Sequence, residues 1–297
     1  MLDIYQSIYG FEGQPFRLSP DYRFSFGHRS YEDAKSYLKY AVNEGEGIVA
    51  ITGAPGTGKT TLIASLISEL DADRVCVGVI SNVQLENRRL ADMALDAFSL
   101  DASSGSQSSA PVRLKHFFID QLEKGRRAIL IVDEAQGLSR EQLEELRLLS
   151  NLQHNTQQLL QVFLIGQESL MEVIRLPGME QLHQRLIAAA QLRPLTLEET
   201  VEYIEHRLRV VNWTGDPEIR DEVFNLVHKF SSGIPRRINL ICHRLFLQAG
   251  LRERHTLLGG DALHVIVELH KEGLLTAGAQ RALGEYAVGV KGLASNE

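Results

Sequence analysis

The sequence "ITGAPGTGKTT", residues 51–61, places Gly53, Gly58, Lys59 and Thr60 at every fixed position of the pattern G-x-x-x-x-G-K-[ST]. The preceding residues, 47–52, form a short apolar and β-branched run that is typical of a strand. After the loop, apolar side chains recur at helical spacing, namely Leu62, Ile63, Leu66, Ile67 and Leu70. The sequence therefore predicts a strand, a glycine-rich loop and a helix in this order.

This arrangement suits the binding of phosphate groups, although a solvated turn is the simpler alternative. Glycines allow positive φ angles, so that successive backbone N–H groups can point at a β-phosphate. The start of the helix adds the positive end of its dipole. We expect Lys59 to reach the β- and γ-phosphates and the Thr60 hydroxyl to bind Mg²⁺. The predicted ATP contacts are Gly53, Ala54, Pro55, Gly56, Thr57, Gly58, Lys59, Thr60 and Thr61.

The composition is that of a globular protein large enough for one large or two modest domains, with 297 residues and 44% hydrophobic residues. Its two cysteines, Cys76 and Cys242, are far apart in sequence, which favours buried thiols in a reducing compartment. The start of the sequence lacks a secretory signal pattern, and no apolar run approaches the ~18 residues of a membrane helix. We therefore expect a soluble cytoplasmic protein. The net charge of −7 argues against a broadly basic surface for nucleic acid.

Strands and helices alternate along the first two thirds of the chain. Predicted strands lie at 47–52, 75–80, 128–132 and 159–166, and predicted helices at 31–43, 85–98 and 112–123. Because the runs at 128–132 and 159–166 are continuously apolar, they suit strands that are buried on both faces of a parallel sheet. Beyond Pro194 only helices are predicted, at 198–211, 217–230, 235–250 and 260–269.

These patterns divide the chain into four parts. Residues 1–46 form an aromatic-rich segment that we expect to pack on the core domain, and residues 47–194 form that α/β domain. Residues 195–272 form a helical domain, and residues 273–297 form a tail without clear pattern that we expect to be disordered. The serine-rich stretch 101–110 is predicted to be a surface loop.

Two acidic residues follow the predicted strand at 128–132. Asp133 and Glu134 would lie at the carboxyl end of a parallel strand, where open sheets bind ligands. We expect Asp133 to hold Mg²⁺, directly or through water, and Glu134 to activate the attacking water. Capping of the next helix is the alternative. Gln167 follows the strand at 159–166 and could contact a γ-phosphate or position water.

Two arginine sites are further candidates. Arg236 and Arg237 lie in the first turn of a helix that begins at Pro235, where their charge opposes the dipole and calls for an anion such as a phosphate. Arg185 could reach the γ-phosphate of a neighbouring copy in a ring or filament. Surface salt bridges and a solvated helix are the respective alternatives.

With these residues in place, the chain resembles the AAA+ ATPases, and within them the general secretion pathway protein A group, most closely the branch associated with exosortase (PEP-CTERM) and exopolysaccharide loci. The similarity runs from about residue 5 to 270. Its motifs are "YGFEGQPFRLSPDYRF", "GAPGTGKTT", "LIVDEAQGLS", "LLSNLQ", "FLIGQ", "QLHQRLIAAAQLRPLTLEET", "YIEHRLRVVNWTGDP" and "SGIPRRIN".

The resemblance implies a P-loop NTPase fold with a parallel sheet flanked by helices and a C-terminal helical lid. It places Gln167 in the sensor-1 position, Arg236 in the sensor-2 position and Arg185 as a finger acting in trans. It also implies that residues 9–28 border the adenine. Fuller members of the group carry a transmembrane helix and a cell-wall-binding domain, which are absent here, so that recruitment to the inner membrane would need a partner.

The resemblance favours an ATP-driven switch or motor that assembles into homo-oligomers and acts on a protein partner in an envelope export or exopolysaccharide system. The alternative is a DNA-bound ATPase regulator of the transposition or initiator type. It would need the basic clusters at 88–89, 124–127 and 252–254 to line one groove. A small-molecule kinase is a third reading, but no acceptor-site motif stands out.

Overall fold

The computed structural model describes residues 4–19, 21–81, 88–100 and 108–275, and these form two compact units. The first, called here the α/β unit, comprises residues 29–55 and 59–193. The second, the helical unit, comprises the described residues up to 28, residues 56–58, and those from 194 onward. No helix in the described ranges is long and apolar enough to cross a membrane.

The described helices and strands are numbered here in chain order. The helices are α1 Ile4–Tyr9, α2 Arg29–Glu44, α3 Lys59–Glu69, α4 Leu90–Ala97, α5 Ala110–Glu123, α6 Arg140–Ser150, α7 Ser169–Ile174, α8 Glu180–His183, α9 Leu197–Val210, α10 Asp221–Ser231, α11 Pro235–Leu251 and α12 Gly259–Lys271. The strands are β1 Ile48–Gly53, β2 Val75–Ile80, β3 Arg127–Val132, β4 Gln153–His154, β5 Gln157–Gln158, β6 Leu160–Gly166, β7 Leu186–Leu192, β8 Glu218–Ile219 and β9 Thr256–Leu257. Two 3₁₀ turns lie at Tyr22–Phe24 and Ala135–Gly137.

The α/β unit is built on a five-stranded parallel sheet with strand order β2-β3-β6-β1-β7. Every residue of β1 and β6 is buried, as expected for central strands covered on both faces. The register pairs Thr52 with Gly166, Gly53 with Leu192, and Val132 with Leu164. The carboxyl ends of β1, β3, β6 and β7 therefore lie along one edge of the sheet.

Alternate residues of each central strand point to opposite faces of the sheet, and both sets are mostly apolar. Helices therefore cover both faces. Ile129 and Ile131 belong to a core formed with buried side chains of α2 and α3, such as Leu38 and Leu62. Leu130 and Val132 belong to a second core, which includes residues of α4, α5 and α6. The predicted fold class is confirmed: the unit has three layers, helix on sheet on helix.

The helical unit has a core formed by α9 to α12. Five aromatic side chains from the first 28 residues lie in this core, namely Tyr5, Tyr9, Phe11, Phe16 and Phe24. The sequence pattern predicts that the segment 1–46 packs on the α/β domain. The structure differs, since the aromatic side chains of residues 4–28 are buried with α9 to α12, and α2 is part of the α/β unit.

Several elements differ from their predicted form. The run Leu186–Leu192 is a strand, which the alanines in its centre concealed, because alanine favours helices. Residues 218–219 pair with 256–257, so the region after Pro194 is not purely helical, and α10 begins at Asp221 instead of Pro217. Helix α6 had not been predicted, and α4 begins at Leu90. Residues 85–87, most of the serine-rich stretch and the tail after residue 275 lie outside the described residues.

Candidate functional site

The glycine-rich loop follows β1 directly and leads into α3, which begins at Lys59. Gly56 and Gly58 have φ values of +85° and +100°, a region that side chains other than glycine rarely adopt. Glycine is therefore needed at these two positions so that the loop can adopt its backbone conformation. With eleven residues, α3 is long enough for its N-terminal dipole to favour an anion at the loop.

Lys59 lies folded against this loop and is only 7% exposed. Its Nζ donates hydrogen bonds to the carbonyl oxygens of Gly53, at 2.9 Å, and Ala54, at 3.1 Å. Burial lowers the pKa of Lys59, while the charges of Glu134 and Asp133 act in the opposite direction. The ammonium is therefore desolvated and satisfied only by weak carbonyl acceptors, so an incoming phosphate could replace them with a stronger partner.

The Thr60 hydroxyl donates to Asp133 Oδ2 at 3.3 Å, which joins the start of α3 to the end of β3. Asp133 is fixed by its backbone N–H, which donates to Ile80 O at 2.8 Å, and its Oδ1 accepts from the Glu134 backbone N–H at 2.9 Å. In the described ranges no group of three or more His, Cys, Asp or Glu forms a metal cage. A hydroxyl and a carboxylate beside a phosphate loop nevertheless fit Mg²⁺, which takes few protein oxygens and completes its shell with phosphate and water.

Gln136, in the turn after Asp133, is a further site residue that the sequence motifs do not predict, and it contacts the predicted base, Glu134. Glu134 has a left-handed backbone conformation, with φ 52° and ψ 35°. Gln136 Nε2 donates to Glu134 Oε2, and Gln136 Oε1 accepts from the backbone N–H of Gln167 at 2.9 Å. The amide of Gln136 therefore links Glu134 to the end of β6. The sequence motif "DEAQ" alone gave no signal for this contact, because it depends on β3 and β6 being neighbours.

Arg185 lies at the other end of the sheet. Its carbonyl oxygen accepts from the backbone N–H of Ile48, the first residue of β1, at 2.9 Å. Its guanidinium Nη1 donates to Ser150 O at 3.3 Å, and the residue directly precedes β7. The structure thus brings together Lys59, Thr60, Asp133, Glu134 and Gln167 at the carboxyl ends of the strands and places Arg185 apart from them. Arg185 is not a helical residue, as its alternative interpretation supposed, because α8 ends at His183 and β7 begins at Leu186.

Arg236 lies in the first turn of α11 as predicted, one residue after Pro235. The tip of the glycine loop, residues 56–58, groups with the helical unit, and there the Arg236 backbone N–H donates to Gly56 O at 3.2 Å. A Cβ on Gly56 would lie 2.7 Å from the Cβ of Arg236, so glycine permits this approach. The side chain of Arg236 is exposed, and its contact with a phosphate stays a prediction.

Comparisons with known proteins agree with this geometry. Residues 42–174 match the family model for the AAA domain. The general secretion pathway protein A of Aeromonas hydrophila is 34% identical over 285 residues, which cover 94% of this chain and 52% of that protein. The chain therefore spans about half the length of this curated relative.

Solved structures show the same fold. The ADP form of Aeropyrum pernix ORC2 superimposes with a TM-score of 0.62 at 14% identity, covering 88% of this chain and 74% of that one. Drosophila ORC bound to DNA gives a TM-score of 0.60 at 20% identity, covering 87% and 66%. The Holliday junction branch migration motor RuvB of Thermotoga maritima gives 0.54 at 20%, covering 84% and 74%.

The chain thus has the P-loop AAA fold, with a parallel central sheet flanked by helices and a helical C-terminal region. The glycine loop, the adjoining carboxylates and the match to the AAA domain model agree with this fold class. Over most of its length the chain is also similar in sequence to the general secretion pathway protein A of Aeromonas hydrophila.

Proposed function

We propose that this chain binds ATP with Mg²⁺, hydrolyses it to ADP and phosphate, and uses the cycle as a switch or motor on a protein partner. The main support is one constellation, in which the buried Lys59 lies on the glycine loop while Thr60 contacts Asp133. Lys59 supplies a cation for phosphate oxygens, and Thr60 and Asp133 supply two oxygen ligands for a divalent cation. They lie at the start of α3 and at the end of β3.

In this proposal the loop binds the triphosphate through its backbone N–H groups and the dipole of α3. Lys59 exchanges its carbonyl acceptors for β- and γ-phosphate oxygens. Thr60 and Asp133 would hold Mg²⁺, which when bound supplies neutralisation of the charge on those oxygens. Residues 54–57 and Thr61 stay predicted contacts of the nucleotide.

Hydrolysis needs a base for the attacking water, and Glu134 is the candidate. Its side chain is exposed at the carboxyl edge of the sheet, one residue after Asp133. Oε2 accepts from Gln136, so Oε1 can accept the proton of a water. Gln167, at the end of β6, would sense the γ-phosphate, and Arg236 would do so from α11. Loss of the γ-phosphate would then drive the conformational step.

A protein partner in an export system is supported by the relative, a general secretion pathway protein A. We extend this to an envelope export or exopolysaccharide system of the exosortase type, with an ATP-dependent homo-oligomer as the working form. The basic clusters favour this over DNA binding, because acidic side chains pair with several of them: Arg88 with Asp96, Arg89 with Glu145, Lys124 with Asp120, and Arg254 with Asp261.

The test is the variant Glu134→Gln, which keeps the shape of the side chain and removes its basicity. We expect turnover to fall about 10²- to 10⁴-fold while ATP affinity is retained, because the base acts only in the chemical step. Phosphate release and nucleotide titration measure the two quantities. Mass photometry with a non-hydrolysable ATP analogue then reports whether the ATP-bound form assembles.

Glu144→Gln is the matched control, since Glu144 is an exposed glutamate on α6 that pairs with Arg147. It should hydrolyse ATP as the wild type does. Wild-type turnover in Glu134→Gln would overturn the assignment of the base, and absence of any ATP binding in the wild type would overturn the proposed function itself.

A further inference from the structure

Among the described residues, Gln136 alone has a side chain that bonds both to the Glu134 carboxylate and to the backbone just after β6. Its NH₂ group donates to the Glu134 carboxylate and its oxygen accepts from the Gln167 N–H at 2.9 Å. A glutamine is suited to this position because one planar group supplies a donor and an acceptor in opposite directions. A glutamate or a leucine at 136 could not make both bonds.

The neighbouring strand is shaped around this amide. A Cβ on Gly166 would lie 2.7 Å from Gln136 Oε1 and 3.2 Å from the Gln136 backbone nitrogen. Gly166 does not have a positive φ angle, so its backbone conformation does not require glycine. The glycine instead leaves the space that the Gln136 side chain occupies between β6 and the turn.

We propose that Gln136 is a positioning residue for hydrolysis, which holds the Glu134 carboxylate in one orientation and couples it to the end of β6 beside Gln167. The inference rests on the proposed role of Glu134 as the base. Glu134 is exposed and has a left-handed backbone, and within the described residues its carboxylate takes this one hydrogen bond. Without Gln136 the Glu134 carboxylate would sample several orientations, and only some of them would place an oxygen within hydrogen-bond distance of the attacking water.

Other charged groups act on Glu134 as well. The charges of Lys59 and Glu134 interact, and Asp133 precedes Glu134 directly. The elements that pack against the turn are β6 and α7, and they bring Glu168 at the N-terminus of α7 and Glu172 within it. Glu168 accepts from the side chain of Gln191 at 2.8 Å. These groups are the same in every variant below, so a change in kcat between the variants reports the change at position 136 or at Gly166.

The experiment compares Gln136→Leu, Gln136→Glu and Gly166→Ala in the full chain. For Gln136→Leu we expect kcat to fall about 10- to 100-fold with ATP affinity unchanged, less than on removal of the base itself. Gly166→Ala should give a similar loss, because its methyl group displaces the amide. The double variant should be no slower than Gln136→Leu alone, since both changes remove the same interaction.

Gln136→Glu separates the bond to Glu134 from simple space filling. A glutamate has nearly the shape of glutamine, but its ionised carboxylate has no N–H to donate to Glu134. We therefore expect kcat to fall at least as far in Gln136→Glu as in Gln136→Leu, with ATP affinity unchanged, whereas a residue that only filled space would tolerate the glutamate. Gln142→Leu is the control glutamine: it removes the capping box of α6, and should lower thermal stability without lowering kcat.

The outcomes separate the two proposals. Wild-type kcat in Gln136→Leu and Gln136→Glu, with Glu134→Gln inactive, would overturn the role of Gln136 and leave the base assignment intact. Wild-type turnover in Glu134→Gln would overturn the base assignment. Strictly additive losses in the double variant would also contradict the inference, because they would show two independent effects.

Discussion

The two ends of the central sheet have different chemistry. At the carboxyl ends of β1, β3 and β6, polar groups bond one another across elements: Thr60 with Asp133, and Gln136 with both Glu134 and Gln167. At the amino ends, the side chains bond to backbone groups instead: Arg185 Nη1 donates to Ser150 O, and Gln158 Oε1 accepts from the Gly47 N–H.

The distance between these ends explains the proposed division of labour. Strand β1 has six residues, which at about 3.3 Å per residue separates Arg185 from the phosphate loop by roughly 20 Å. An arginine side chain cannot cover that distance. Arg185 therefore cannot reach a γ-phosphate bound in the α/β unit of its own chain. Any contribution of Arg185 to hydrolysis must come from another copy of the chain.

The largest effect should come from Arg185→Ala. If Arg185 acts in trans, hydrolysis by the assembled protein should fall by about 10³-fold or more, with ATP affinity unchanged. Turnover per chain in the wild type should also rise with protein concentration as copies associate. Phosphate release across a dilution series measures both.

A mixture of two inactive variants sharpens this test. Arg185→Ala retains Glu134, and Glu134→Gln retains Arg185, so mixed assemblies should regain activity at interfaces where both are intact. Arg147→Ala, which removes a partner of Glu144 on α6, is the control arginine and should keep its turnover. Full turnover in Arg185→Ala alone would contradict a catalytic role of Arg185, and no recovery in a mixture of two inactive variants would contradict its action in trans.

The smallest effect should come from Gly47→Ala at the amino end. Gly47 has φ +76°, and a Cβ there would lie 2.5 Å from Ile187 Cγ2 and 3.2 Å from Arg185 O. We expect the free energy of unfolding to fall by about 1–3 kcal/mol, with unchanged ATP affinity of the folded protein. Urea unfolding and nucleotide titration measure the two quantities.

Gly125→Ala is the matched control for Gly47→Ala. Gly125 also has a left-handed backbone, φ +73°, but no atom lies within 4 Å of its Cβ position. Gly125→Ala should lose only the stability that a left-handed backbone costs an alanine. The difference in the free energy of unfolding between the two variants therefore isolates the crowding of a Cβ at position 47 against Ile187 and the Arg185 carbonyl oxygen. An altered ATP affinity in folded Gly47→Ala would contradict the separation between the two ends of the sheet.

Strong local patterns made much of the fold predictable from the sequence. Strand β2 was predicted at its observed bounds, and β1, β3 and β6 within one residue at each end, because continuous apolar runs next to glycine or acidic residues have few other interpretations. The strand β7 was missed, since an edge strand of alanines with alternating exposure carries little β signal.

The site was predictable only as far as it is local in sequence. Lys59 and Thr60 come from one motif, and Asp133 from the end of one strand. The contact of Gln136 with Gln167 joins two segments 31 residues apart and follows from the order of β3 and β6, which pattern alone does not give. Likewise, the aromatic spacing of residues 4–28 gave no sign of which core would bury them.

The most direct measurement of the central claim is the ATP affinity of Lys59→Met, which keeps the apolar stem and removes the charge. Lys39→Met, at an exposed lysine of α2 that pairs with Glu69, is the control. We expect the dissociation constant of Lys59→Met to rise about 100-fold, or roughly 2–3 kcal/mol, because a buried ammonium would no longer meet the phosphates, and that of Lys39→Met to stay unchanged. Equal ATP binding by folded Lys59→Met and wild type would contradict the assignment of this loop as the nucleotide site.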